Sequence, residues 1–284
     1  MGAILKKLAG ISLVFYFFLF VLPRFCYEKT GDFWYQTILS DLPFNPRWEA
    51  ERISSAEMEM IPSLLNQRFF FLGSGMQCFA FLGEDEKTVL KFFKHSPSLL
   101  KKGRFLWHRP FLDSIFDSYK LAFQELKEET GILFLHLNKT RSLLPTVTLI
   151  DKMGNPHQIA LDETEFVLQK AGELICKRLR RQMEDQDISG AKRSLDTLFF
   201  ALSRGYRKGI KNNDRAFRRN VGFSGDHALL LDAGSLLCDE RVKIPMEAQK
   251  EVLQKGRNLQ NWLLKHYPEL HVYYMNLVQQ MKEE

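Results

Sequence analysis

Cysteine is scarce in this chain and scattered. Cys26, Cys78, Cys176 and Cys238 form no CxxC pair, so their spacing proposes neither a zinc ribbon nor a disulfide framework. No period of roughly 20 to 50 residues repeats, which argues against a solenoid or propeller array, and no low-complexity tract interrupts the chain. Neither sign of charge dominates: 40 Lys and Arg against 34 Asp and Glu leave +6. Such a balance favours weak attraction to phosphates, nucleic acid or anionic lipid without choosing among them. Because Lys and Arg are not interleaved with aromatics on one evident surface, a nucleic-acid partner is not expected. Long uncharged apolar runs are also lacking, with one exception at the N-terminus.

That exception is "LAGISLVFYFFLFVLP", Leu8 to Pro23, preceded by Lys6 and Lys7 and closed by Arg24. A helix crossing a bilayer core needs about 17 to 25 apolar residues, so the run is at the short end of a span. A basic stretch followed by an apolar one is equally the plan of a signal peptide, and a buried helix is a third reading. The residues that follow, "VLPRFCYEK", offer no AxA-like site for cleavage, and Cys26 follows Arg and Phe rather than the small residues expected before a lipidated cysteine. The expectation is therefore an uncleaved anchor within residues 1–27, attaching the protein to a membrane through residues 8–23. Cleavage would instead make the protein secreted. Lys6 and Lys7 on one side, and Arg24 and Lys29 on the other, leave the orientation open.

At 284 residues, with 45% hydrophobic and 26% charged content, the chain is long enough for one large domain or two lobes with a core. Residues 28–63 read as a polar linker and a short helix, with a Ser-Ser-Ala-Glu start that suits a cap. The folded body is then expected from about Leu64. Apolar runs at Phe69 to Leu72, Phe79 to Leu82 and Val89 to Phe93, separated by Gly73-Ser74-Gly75 and by an acidic turn at Glu84 to Glu86, predict an antiparallel meander. A Gly-x-Gly turn lets a backbone approach an anion, since no Cβ stands in the way. Within the third run Lys91 interrupts Leu90, Phe92 and Phe93. A buried ammonium is costly unless paired; the alternative is the solvated face of an edge strand.

The segment "DSIFDSYKLAFQELKEETGILFLHL" reads as helical, with Ile115, Tyr119, Ala122, Phe123 and Leu126 on one face. Of Glu125, Glu128 and Glu129 near its end, Glu125 adjoins the apolar stripe and is the expected partner of Lys91, unless all three are surface charges. Two strands are predicted next, "TVTLID" from Thr146 and "EFVLQKAG" from Glu165, with the turn "DKMGNPHQ" between them. A basic stretch at Lys177 to Arg181 precedes a helix carrying Leu195, Leu198, Phe199, Leu202 and Tyr206 on one face. Then comes "IKNNDRAFRRNVGFSGDHALLLDAGS", Ile210 to Ser235, with Asp214, Asn220 and Asp232 set around apolar strand candidates. Asn, Asp and Gly are default turn residues, so turn chemistry alone is one account of it. From Pro245 the tail reads as helices broken near Pro268.

In this order the parts resemble the protein kinase-like fold, over roughly Phe69 to Ser235. The resemblance implies an α+β, two-lobed protein. Its N-lobe, about residues 64–170, would hold a small antiparallel sheet, and its C-lobe, about residues 171–284, would be helical and reduced, with the hydrophobic helix preceding both. It also implies ATP and Mg²⁺ as cofactors. Gly73, Ser74 and Gly75 match the phosphate-covering loop, Lys91 the lysine that holds the α- and β-phosphates, and Glu125 its helix partner. Asp214 matches the catalytic-loop aspartate, Asn220 and Asp232 the metal ligands, and Glu165 to Gly172, with Gln169, the hinge that receives adenine. Arg215, Arg218 and Arg219 are either phosphate-neutralising or solvated surface arginines.

The departures from the family pattern are specific. Cys78 stands where a third glycine is usual, "NND" replaces His-Arg-Asp, five residues rather than four separate Asp214 from Asn220, and no APE sequence follows Gly234. The missing stretch normally helps bind a peptide, which counts against a protein substrate; the resemblance implies an acceptor hydroxyl on a protein or a small molecule. Two functions follow: a membrane-tethered ATP-dependent kinase, or a pseudokinase-like interaction module at a membrane.

Overall fold

The computed structural model describes residues 11, 15–49, 54–95, 109–214 and 217–282. The fold is mixed α/β. Strands β1 (Arg68–Ser74), β2 (Cys78–Gly83) and β3 (Thr88–Phe93) form the expected meander, with Phe71 opposite Phe81 and Ala80 opposite Lys91. The sheet they start is neither small nor purely antiparallel. Seven strands lie in the order β4-β7-β3-β2-β1-β5-β6, adding β4 (Ile132–His136), β5 (Thr146–Ile150), β6 (Pro156–Ala160) and β7 (Phe166–Lys170). One pair, β1 with β5, is parallel. The excursion between residues 94 and 145 is long enough for the crossover that a parallel neighbour demands.

Two strands of this sheet lie where none was expected. Ile132–His136, read as part of a helical segment, is β4, because the helix Arg109–Glu125 and the short helix Lys127–Thr130 end at Gly131, at φ 64°. That left-handed conformation suits glycine and stops the helix. Pro156–Ala160, assigned partly to a turn, pairs with β5 as β6. Strand β3 lies between β2 and β7, so Lys91 is in a central strand and the edge-strand alternative falls away. One face of the sheet buries Phe69, Phe79, Phe81, Phe92 and Phe166. Phe81 meets Phe92 edge-on at 6.0 Å, an arrangement that aromatic quadrupoles favour.

The N-terminal region departs furthest from expectation. Residues 8–10 and 12–14 of the apolar run lie outside the described residues. Phe15 to Val21 are exposed and helical, continuing into α1 (Leu22–Thr30). Among the described residues, no helix is long and apolar enough to cross a membrane. Beyond α1 the chain does not behave as a linker. Phe33, Ile38 and Trp48 are buried in the core, and polar clamps hold the segment between them. Asp32 faces Lys94 at 3.6 Å, and Ser40 donates to Glu165 at 2.7 Å. Asn45 and Asn138 exchange two hydrogen bonds. This strap ends against α3 (Arg109–Glu125), where the Trp48 ring meets Phe116 at 5.0 Å and Lys120 donates to the Arg47 carbonyl at 2.7 Å. The expected short helix follows as α2 (Ser55–Leu65), started by a capping box between Ser54 and Glu57.

The rest of the chain is largely helical. After α4 (Lys127–Thr130), helices α5 (Ile175–Glu184) and α6 (Ile188–Arg207) precede the loop and strands of residues 210–238, which hold the short α7 (Phe217–Asn220), and α8 (Pro245–Lys255), α9 (Arg257–His266) and α10 (Pro268–Gln280) close the described chain. Leu195, Leu198, Leu259, Leu263, Leu270 and Tyr274 share one core there. It was legible as apolar spacing along each helix.

Candidate functional site

Between the sheet and the segment 219–232 lies a cleft of about 420 Å³. Its lining includes Gly75, Lys91, Gln169, Asn220 and Asp232, five of the residues singled out in the sequence. Each arrives by local necessity. Lys91 shares a face of β3 with Val89 and Phe93, the face opposite the phenylalanine core. Its ammonium donates to the Leu231 carbonyl. Burial pushes the Lys91 pKa down, and the nearby Asp232 carboxylate opposes that shift.

Asp232 follows the strand His227–Leu230, in a turn closed by the Gly234 amide donating to its Oδ1 at 3.0 Å. The backbone oxygen of Asp232 accepts from Asn212 Nδ2 at 3.1 Å. Asn212 also uses Oδ1 to accept the Asp214 amide at 2.9 Å, a side-chain-closed turn of the type Asn favours. Asn220 then donates from Nδ2 to Asp214 Oδ2 at 2.7 Å, and its carbonyl accepts the Leu231 amide at 2.7 Å. One hydrogen-bonded circuit thus joins Asp214, Asn220 and the Asp232 turn. From α8, Lys255 braces the loop by donating to the Asn213 carbonyl at 3.1 Å.

Other expected residues are placed differently. Glu125 is not brought to Lys91: its side chain is half exposed, and it forms an ion pair with Lys208 at 3.4 Å. It is the last residue of α3, so helical phase turns it outward beside the preceding buried stripe. The residues of α3 that do reach this region are Ser118 and Tyr119. Tyr119 lines the cleft and shares a hydrogen bond with Cys78. Burial pushes the Cys78 thiol up to about 12, and the Asp232 carboxylate adds to the rise, so Cys78 is an inert wall at neutral pH. Ser74 is turned aside, accepting from Lys94 Nζ at 2.7 Å. Gly73 does not line the cleft, although a Cβ there would meet nothing within 4 Å.

Gln169 reaches the cleft as a buried tether, donating from Nε2 to the Thr130 carbonyl at 2.5 Å. Arg219 lines the cleft, Arg218 is exposed, and Arg215 lies outside the described residues.

Sequence reading missed several lining residues. Leu72, Ala80, Val89, Leu174 and Leu231 supply apolar walls; in the sequence they are ordinary strand residues whose shared destination has no local signal. Gln77 was missed too. Its Nε2 donates to the Gly234 carbonyl at 3.0 Å, tying the glycine-rich turn to the Asp232 turn.

Two comparisons, with family models and with curated proteins, find no match. Among solved structures the chain is similar to WbdD in complex with the kinase inhibitor LY294002, at 15% identity and a TM-score of 0.37, covering 75% of this chain and 45% of that one. A second structure, of WbdD described as a bifunctional kinase-methyltransferase, matches at 16% identity and a TM-score of 0.35, over 73% of this chain and 43% of that one. The chain spans less than half the length of these structures.

Proposed function

We propose that the protein is a divergent, Mg²⁺- and ATP-dependent kinase-like phosphotransferase, acting on a hydroxyl of a protein or small molecule and held at a membrane through residues 8–23. The observation that carries the reading is one cleft lined by Gly75, Lys91, Asn220 and Asp232, with Asn220 hydrogen-bonded to Asp214, which lines the adjoining cavity beside Tyr206 and Phe217. The donor set suits the cofactors. A carboxylate and an amide oxygen are hard ligands of the kind Mg²⁺ takes alongside substrate phosphates, and with Nδ2 of Asn220 turned to Asp214 its Oδ1 is left for that role. Bound Mg²⁺ would neutralise charge on the transferring phosphate.

The chain's own residues would do the rest. Lys91 would exchange its Leu231 carbonyl contact for the α- and β-phosphate oxygens. Gly75 lines the cleft with its amide donated to the Cys78 carbonyl at 2.9 Å, and the lack of a Cβ would let phosphate oxygens approach the turn. The apolar walls at Leu72, Ala80 and Val89 suit a flat base. Asp214 would orient the attacking hydroxyl and take its proton. A second reading, a pseudokinase-like module that binds nucleotide without turnover, is favoured by the placement of Glu125 away from Lys91.

The test is thermal melting of the full-length protein with and without MgATP, followed by assay for ADP release. A ligand that binds only the folded state at about 100 times its Kd adds about 2.7 kcal/mol of stability, so a raised Tm is expected. An unchanged Tm at saturating MgATP would sink the nucleotide reading; a raised Tm without ADP release in the presence of acceptor would favour the second. For the membrane, the full chain is expected to sediment with membranes and a chain lacking residues 1–27 to remain in the soluble fraction. Equal distribution of the two would rule out attachment through the apolar run.

A further inference from the structure

The Asp232 turn is held from α3, and not by an acid. Ser118 is buried. Its hydroxyl donates to the Ala233 carbonyl at 2.5 Å, with the Leu236 carbonyl also near at 3.0 Å, and its oxygen accepts the Leu236 amide at 2.6 Å. Beside it, the Tyr119 hydroxyl meets both the Ala233 backbone and Cys78. A single buried hydroxyl therefore spans the residues immediately after Asp232. Removing it leaves a buried amide without its partner, which buried backbone groups rarely tolerate.

Resting on the reading of Asp232 as a metal ligand, we infer that Ser118 is the positioning residue that couples α3 to the metal site. It does by a hydroxyl-to-backbone clamp what a helix glutamate paired with Lys91 would do. The physical chain is continuous. The strap packs Trp48 on Phe116 of α3, and two residues later Ser118 grips Ala233 and Leu236. Glu125, at the far end of the same helix, takes no part. The orientation of α3 therefore bears on Asp232 directly, and Lys91 is left to the nucleotide.

The experiment compares wild type, Ser118→Ala and Ser194→Ala. Ser194 is an equally buried hydroxyl, bonded to Arg178 at 2.9 Å and Gln182 at 3.1 Å, and does not line the cleft. Binding is measured with MgATP and with ATP in EDTA, and amide exchange is followed by mass spectrometry across residues 231–238 without nucleotide. In Ser118→Ala, MgATP affinity is expected to fall about tenfold or more, in line with the loss of an outer-shell partner. Metal-free ATP affinity stays within about twofold, and the 231–238 peptide exchanges faster. Ser194→Ala lowers Tm while leaving the ratio of the two affinities unchanged, as a remote packing defect would. Equal losses with and without Mg²⁺ in Ser118→Ala, or an unchanged MgATP affinity, would overturn the inference. Wild type binding no nucleotide would overturn the functional reading itself; exchange across 231–238 unaltered by Ser118→Ala would then show separately that the clamp is absent.

Discussion

Asp232→Ala is expected to remove Mg²⁺-dependent nucleotide binding, lowering affinity for MgATP by roughly 100-fold or more, since even removing a residue that only supports a metal ligand costs about 10- to 100-fold. The fold should survive. The side chain of Asp232 makes one turn hydrogen bond, to the Gly234 amide, while the backbone of the same turn is held independently by Asn212, Gln77 and Ser118. Glu125→Gln is the contrasting case. Its ion pair with Lys208 is solvent-exposed, and such pairs contribute about 0 to 1 kcal/mol, so neither stability nor nucleotide affinity should move measurably. In a double-mutant cycle Lys91→Met and Glu125→Gln should be additive, because residues without a shared contact do not couple. Isothermal titration with MgATP on wild type, Asp232→Ala and the three variants of the cycle reads the affinities, and thermal melting of Glu125→Gln reads its stability. Undiminished binding in Asp232→Ala would remove Asp232 from the metal site, and marked non-additivity would restore the Lys91–Glu125 pair.

Removing residues 1–63 is expected to abolish cooperative unfolding, whereas removing residues 1–27 leaves it intact. The shorter deletion takes away the exposed segment Phe15–Val21 and most of a helix with no buried residue. The longer one takes Phe33, Ile38, Trp48 and Ile61 out of the core and removes Asp32 and Ser40, which pair with Lys94 and Glu165. Trp48→Ala alone should cost about 3 to 5 kcal/mol, the range for truncating a buried large aromatic. Total stabilities of only about 5 to 15 kcal/mol leave little margin for that loss. Calorimetry of both truncations and of Trp48→Ala is the measurement. A chain starting at residue 64 that still melts in one sharp transition would mean that the strap is dispensable.

Much of this protein was determined by the sequence alone. The meander of β1 to β3 follows from apolar runs separated by Gly73-Ser74-Gly75 and an acidic turn, because period and turn chemistry are local properties. The long helix Ile188–Arg207 and the break at Pro268 follow from helical spacing and proline for the same reason. Lys91, Asn220 and Asp232 were conspicuous as polar residues beside apolar strands.

Tertiary structure decided what local pattern does not encode. The parallel pairing of β1 with β5 joins segments far apart in sequence. The burial of Trp48 depends on Phe116, distant along the chain, so a proline-containing polar stretch looked like a linker until its partner was in place. Glu125 and Ser118 lie on the same helix, and charge singled out the glutamate in the sequence, but the phase of that helix against the Asp232 turn gave the contact to the serine. A residue type announces what it is able to do; only the packing of α3 against residues 232–236 set which side chain was within a hydrogen bond's reach.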